Sequence, residues 1–309
     1  MALDLLCFGE LTIDEISDTE GVIGEGSTKL TATGRFFGGR GANVSVYSSF
    51  FGLHVGLVGS VGNDTEGLEY RKHLASKGID TACFYETRGA HTNKCFIFNG
   101  NDKPYIFFYG GALLEERSEY LSHIKTSVNR QEHKIAFCTS PDSEVNRIAL
   151  NASNASTKVF APSSSIYGYS ANDLSECLGK ADLVFLNQNE AEFLEKQTGA
   201  PLSSIVEGPG TKLLIKTLGK NGSEAMSKEG RTAIAPCRAS RVVDANGAGD
   251  AFAAAFTATY FKTKDAYYSG RIASAVSSFV VEERGCQSRM PTEKEILERA
   301  GVKQWKTYE

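Results

Sequence analysis

Two short glycine-rich segments carry the residue types from which anion binding and hydroxyl chemistry can be built. In the first, Val242-Val243-Asp244-Ala245-Asn246-Gly247-Ala248-Gly249-Asp250-Ala251-Phe252, small residues run straight into an apolar, helical stretch. The backbone N–H groups of Gly247, Ala248 and Gly249 would then lie at a helix amino terminus, where unpaired donors and the helix dipole favour a phosphate. Asp250, in the same turn, can aim a carboxylate at a reacting hydroxyl and take its proton. A capped helix after a Gly-rich turn has the same spacing, so the residue types leave both readings open. The second segment is Phe37-Gly38-Gly39-Arg40-Gly41-Ala42-Asn43-Val44-Ser45. Its bare backbone lets a ligand lie against the chain, and Asn43 offers a donor and an acceptor to hydroxyl groups. Taken alone, the segment reads first as a tight turn with Asn43 opening a helix. Arg40 is either a binder of phosphate or carboxylate or a solvated side chain.

Positioning such groups takes a scaffold, and the 309 residues supply one. Leu3 to Gly9, His54 to Ser60, Lys134 to Thr139, Lys158 to Ala161, Leu183 to Asn187 and Lys212 to Leu218 are short apolar runs that read as buried strands. Gly67 to Lys77, Ser143 to Ala152, Ala171 to Leu178 and Glu190 to Gln197 have helical periodicity, as do the long stretches Ala248 to Phe261 and Asp265 to Val281. Pro291-Thr292-Glu293 opens a last short helix. Alternation of this kind predicts an α/β fold with a mostly parallel sheet and helices on both faces. Residues 14–37 and 80–109 break the pattern. They are rich in Thr, Phe, Tyr and Ile and read as a few antiparallel strands, a small inserted sheet over the carboxyl edge of the main one. Its aromatics are placed to cover a substrate, to pair with another subunit, or to form the sheet's own core.

A composition of 41% hydrophobic and 23% charged residues with a net charge of −4 gives no reason to expect nucleic acid or an anionic membrane as a partner. No run approaches the apolar length of a membrane span, so the expectation is a soluble, cytoplasmic protein with small-molecule ligands. The seven cysteines are scattered without a C-x-x-C pair and read as reduced thiols; the five histidines show no metal-ligand spacing.

Together the two segments resemble the signature regions of the PfkB (ribokinase) family of carbohydrate and nucleoside kinases, and the likeness is collinear along the chain. Gly38-Gly39 with Asn43 is similar to the family's substrate-binding G-G-x-x-x-N, and Asp244 to Asp250 resembles D-T-x-G-A-G-D. Asn187-Gln188-Asn189-Glu190 resembles the N-x-x-E motif that organises magnesium. Thr217-Leu218-Gly219 with Gly222 matches the stretch lining the ATP pocket, Gly59 to Asp64 with Gly67 resembles an early phosphate-side loop, and Asp14 stands where the family places an acid contacting the substrate. The resemblance implies a ribokinase-like three-layer α/β/α sandwich, one domain over residues 1–309, with a lid formed by about 14–37 and 80–109. It implies ATP and Mg²⁺, with Asp250 as base, Gly247, Ala248 and Gly249 as the anion hole and Glu190 acting on Mg²⁺ through water. Asn187, Thr217, Gly219 and Gly222 would lie against the nucleotide. A K⁺ ion has a place beside Asp244 and Arg284-Gly285-Cys286, and a homodimer would form through the lid.

Ala245 departs from the family's Thr, a change of little consequence where main-chain groups bind the phosphate. Gly-Gly-Arg-Gly-Ala-Asn is close to the ribokinase version, yet Cys138-Thr139-Ser140-Pro141-Asp142 lacks the Glu with which ribokinases hold the sugar and looks more like archaeal-type nucleoside kinases. A base would find stacking partners among Phe107, Phe108 and Tyr109. A nucleoside is therefore favoured over a sugar, a sugar phosphate or a sugar acid. Rival classes fit less well. No G-x-G-x-x-G follows the first strand, the loop Gly21 to Lys29 lacks the Lys of a phosphate-binding P-loop, and a silent sensor would have no need of Asp250.

Overall fold

In the computed structural model, which describes residues 2–20, 27–100 and 104–306, strand β1 (Leu3–Phe8) sends Leu5 and Cys7 into one core and Leu6 and Phe8 into another. Alternate side chains of a strand leave opposite faces, so an unbroken apolar run marks a sheet covered on both sides.

The chain continues through β2 (Thr12–Thr19), β3 (Leu30–Gly38), α1 (Arg40–Phe50), β4 (Val55–Val58), β5 (Ser60–Gly62), α2 (Thr65–Ser76), β6 (Tyr85–Thr87), β7 (Lys94–Asn99) and β8 (Pro104–Tyr109). Helix and strand then alternate: α3 (Gly111–Leu114), α4 (Arg117–Arg130), β9 (His133–Cys138), α5 (Ser143–Ala152), β10 (Thr157–Phe160), α6 (Ala171–Lys180), β11 (Leu183–Asn187), α7 (Gln188–Thr198), α8 (Leu202–Glu207) and β12 (Leu213–Thr217). The hairpin β13 (Ser223–Ser227) and β14 (Gly230–Ile234) precedes α9 (Ala248–Thr263), α10 (Ala266–Val280) and α11 (Glu293–Ala300).

The main sheet has the order β14-β13-β12-β11-β10-β9-β1-β4, parallel from β12 to β4 and antiparallel at the β13 and β14 edge. Ala42 and Val44 of α1, the alanines of α9 and Ile272 of α10 fill one core; Tyr120 of α4, Val145 of α5, Leu174 of α6 and Leu194 of α7 fill the other. This is the three-layer α/β/α sandwich expected, and each expected strand and helix lies on an observed one. The β13–β14 hairpin, by contrast, was not among the expected strands. It is short and mixes charged and small residues, so no apolar run announces it.

The small sheet differs from the expectation in two respects. Its order is β3-β2-β7-β8, with β2 and β7 parallel rather than antiparallel. The chain between these two strands runs through β3, α1, β4, β5, α2 and β6, a long connection that frees them from the antiparallel geometry of a hairpin. Residues 80–93 do not join it, because β6 pairs with β5 in a separate two-stranded ribbon. Residues 21–26 and 101–103 of the expected lid, the first set within the loop weighed against a P-loop, lie outside the described residues.

Candidate active site

Parallel strands that share a direction deliver their carboxyl ends to one edge of the sheet. Here β1 runs into Glu10, β11 ends on Asn187 and β12 on Thr217, while the amino termini of α1 and α9 arrive at the same edge. Asn43 lies in the first turn of α1 and Asp250 in the first turn of α9. They are 207 residues apart, yet Asn43 Nδ2 donates to Asp250 Oδ2 at 2.9 Å. Gly247 is the N-cap of α9 with φ of 76°, and among the described residues no side chain caps that helix. A left-handed backbone suits Gly, and here there is also no room for more: a β-carbon at Gly247 would stand 2.4 Å from Cys286 Cβ. The uncapped N–H groups of a 16-residue helix are left for an anion.

Asp14 on β2 stands against the Gly38 turn at the end of β3. A β-carbon at Gly38 would lie within 1.9 Å of Asp14 Oδ2, so glycine there makes the space the carboxylate fills. Thr12 Oγ1 donates to Asp14 Oδ1. Gly39, with φ of 90°, hands the chain from β3 to α1 over the backbone of Glu10 and Thr12.

The charges in this space are unevenly matched. Arg40 Nε donates to Glu10 Oε1 at 2.7 Å and Nη1 to the Pro162 carbonyl at 2.6 Å; both side chains are largely buried. Arg40 is thus neither solvated nor free. Glu10 Oε2, also buried, has no hydrogen-bond partner among the described residues. Burial pushes the Asp250 carboxyl up to about 6, opposed by the Asn43 donor and the Arg40 cation and reinforced by the charges of Glu10 and Glu190. Asp14 is pushed up to about 7, again by burial, with the Thr12 hydroxyl opposing and Glu10, Asp244 and Asp250 adding. A carboxylate poised in this range exchanges protons near neutral pH.

Glu190 opens α7 in a capping box. Its N–H reaches Asn187 Oδ1 at 3.0 Å, and its carboxylate accepts from Asn187 N at 2.9 Å and from Asn187 Nδ2. Burial lifts the Glu190 carboxyl above its ordinary value, opposed by that backbone N–H and by Arg40. Asn187, Glu190, Thr217, Gly249 and Asp250 line a cavity of about 90 Å³. Thr217 and Gly249 also border a neighbouring cavity of about 720 Å³, lined further by Gly219, Gly222, Val242, Ala245 and Ala248. That size lies within the range of small-molecule sites, about 300–1,000 Å³. Asp244 is buried and stitches the turn together, accepting from Asn246 N at 3.0 Å and from Gly285 N at 3.1 Å.

The sequence-expected residues therefore meet at one edge: Asn43 binds Asp250, Asp14 stands against Gly38, Asn187, Glu190 and Thr217 share a cavity with Gly249 and Asp250, and Thr217 and Gly249 share the next with Gly219 and Gly222. The Gly59 to Asp64 loop is different. Asp64 caps α2 through Gly67 N at 2.8 Å and binds Thr92, and it borders neither cavity. Two residues joined to this site were not expected from sequence, Glu10 and Gln287. An acid directly after an apolar run, as Glu10 follows the run Leu3 to Gly9, is the signal that could have found the first. Gln287 has no local signal.

Residues 2–293 match the pfkB family carbohydrate kinase model. A nucleoside kinase of Methanothermobacter thermautotrophicus is 31% identical over 278 residues, covering 88% of this chain and 87% of that one. Mouse ribokinase is 27% identical over 274 residues, covering 84% and 83%. The crystal structure of Methanocaldococcus jannaschii nucleoside kinase, described as an archaeal member of the ribokinase family, superposes with a TM-score of 0.86 at 26% identity, covering 97% of this chain and 99% of that one.

Proposed function

The chain belongs to the pfkB family of carbohydrate kinases, and we propose that, within this family of ATP-dependent phosphotransferases, it phosphorylates the 5′-hydroxyl of a nucleoside with Asp250 as base. The observation that carries the catalytic reading is the pairing of Asp250 with Asn43 at the uncapped amino terminus of α9. Asp250 accepts the hydroxyl proton as the oxygen attacks, and the N–H groups of Gly247, Ala248 and Gly249 hold the transferring phosphoryl group. Asp14, Gly38, Gly39 and Asn43 bind the acceptor. Thr217, Gly219 and Gly222 border the 720 Å³ cavity, whose size suits ATP, and Asn187 lies in the adjoining 90 Å³ cavity beside Asp250.

The chemistry of the donor set also suits Mg²⁺, which keeps most of its waters and needs only one or two carboxylates. Glu190, buried and held by Asn187, would orient such a water, and the ion would neutralise phosphate charge. Carbonyls near Asp244 and Gly285 would hold K⁺. A cytoplasmic location accords with these soluble substrates, and among the described residues no helix is long and apolar enough to cross a membrane.

The nucleoside preference draws support from the relatives and from the end of β9. Asp142, the acid there, is the N-cap of α5 and pairs with Arg117 at 2.6 Å, so it is not offered to a sugar. A sugar acceptor is the second reading, favoured by the mouse ribokinase likeness. With ATP and Mg²⁺, a panel of nucleosides, ribose, fructose, fructose phosphates and 2-keto-3-deoxygluconate should give the highest kcat/KM for a nucleoside; a higher value for any sugar would overturn this choice and leave the chemistry standing.

The small sheet would act as the lid, and its outer strand supports a homodimer. Ile106, Phe107, Phe108 and Tyr109 of β8 are all exposed, Phe107 at 58%. An edge strand of this kind invites pairing with a second copy. Sedimentation should show a dimer for the native chain and a shift toward monomer for Phe107→Ser with Phe108→Ser; a native monomer across the concentration range would remove this interface.

A further inference from the structure

The amide of Gln287, 7% exposed, bridges two groups far apart in the chain. Its Nε2 donates to Asn43 Oδ1 at 2.9 Å, and its Oε1 lies 2.8 Å from His73 Nε2. Asn43 in turn donates its Nδ2 to Asp250. The identity of each donor follows from the one before it. An ionised Asp250 only accepts, so Asn43 must face it with Nδ2 and turn Oδ1 away. Gln287 must then present Nε2 to Asn43, which leaves Oε1 for His73, whose Nε2 must carry the proton. The His73 ring is held in place by stacking on Phe37, 4.1 Å between centroids. Burial, with Lys77 nearby, keeps its pKa below the ordinary value against the pull of Gln287, so a neutral ring protonated on Nε2 satisfies the line. The Tyr70 hydroxyl, whose proton goes to the Gly38 carbonyl, adds a longer contact to Gln287 Nε2 at 3.4 Å.

We propose that Gln287 is a positioning residue: it fixes which way the Asn43 amide faces, and through Asn43 it holds Asp250 as a hydrogen-bond acceptor, free to take a proton. The kinetic consequence rests on Asp250 being the base; the hydrogen-bond line does not. If the Asn43 amide turned over, its Oδ1 would face Asp250, and that contact is satisfied only when the carboxyl already carries a proton. Asn43, 4% exposed, and Gln287 are both buried, so the orientation is enforced by the cost of an unpaired buried amide. Arg40 on α1, Cys7 on β1, Glu10 just beyond it, Asp14 on β2, Glu190 on α7 and Cys286 next to Gln287 also interact electrostatically with Asp250. A neutral substitution at 287 leaves all of their charges in place.

The test is the titration of the Asp250 side-chain carboxyl, followed by NMR in protein labelled with ¹³C-aspartate and assigned by the signal lost in Asp250→Asn. Gln287→Met should move its midpoint up by about half a unit and Gln287→Glu by about one unit or more. In an Asn43→Ala background the Met shift should vanish and the Glu shift should shrink to its through-space part, because the double-mutant comparison isolates what Asn43 transmits. Gln287→Glu is isosteric and carries the test if Gln287→Met does not fold. Equal shifts with and without Asn43, or an unmoved midpoint in a folded variant, would overturn the proposal. The titration needs no turnover, so a protein that titrates as expected and phosphorylates no acceptor would defeat the kinase reading alone. In an active protein, the acid limb of kcat/KM should move with the titration.

Discussion

Asp250→Asn is expected to lower kcat by about 10³, the middle of the range for a lost general base, with acceptor and ATP dissociation constants changed by less than about twofold. The substitution keeps the shape of the side chain and can still accept from Asn43, so packing at the start of α9 is preserved. What it removes is the ability to take a proton. The pH dependence gives an independent check. The base must be ionised to act, and burial pushes Asp250 up to about 6, so kcat/KM of the native protein should rise with pH through about 6 and then level. Activity is lost as pH falls below that value. In Asp250→Asn this limb should be absent from the residual rate. A native profile that is flat down to pH 5, or a variant retaining a tenth or more of the native kcat (about 1.4 kcal/mol in the barrier), would show that the proton goes elsewhere.

Removing Arg40 should have the largest effect on stability. Arg40→Met leaves the Glu10 carboxylate buried with neither oxygen ion-paired among the described residues, since Oε2 has no partner there and Oε1 depends on Arg40. Breaking one side of a buried ion pair costs about 3–5 kcal/mol, and urea unfolding should register that loss. The double variant Glu10→Leu with Arg40→Met removes both charges and should recover most of it. Arg40 also holds the Asp250 carboxyl down, so any activity left in Arg40→Met should have its acid limb moved to higher pH. A loss below about 1 kcal/mol would place the pair among solvated ion pairs, which contribute little.

Much of this was readable from local pattern. Buried parallel strands are continuous apolar runs, and β1, β9, β10, β11 and β12 fell where such runs lie. The start of α9 was readable because Gly247 must adopt a left-handed backbone and an apolar helix follows at once. Less legible was what depends on partners distant in the chain. The β5–β6 ribbon, the parallel pairing of β2 with β7 and the β13–β14 edge are set by tertiary pairing of short segments without a strong period. The same holds within the site. From its own segment Asn43 read first as a helix opener, and only the fold brings it to Asp250 across 207 residues. Arg40 carried no mark distinguishing a solvated side chain from a buried partner of Glu10. Gln287 sits in an irregular turn between α10 and α11, where neither helical nor strand periodicity says which way a side chain points.

The most direct test of the central claim is phosphorus NMR of the native chain incubated with ATP, Mg²⁺ and a nucleoside. A nucleoside 5′-monophosphate should accumulate in step with ADP, and Asp250→Asn under the same conditions should form both at an initial rate about 10³ lower. Formation of ADP and inorganic phosphate without a phosphorylated acceptor, or equal product from the Asp250→Asn chain, would contradict it.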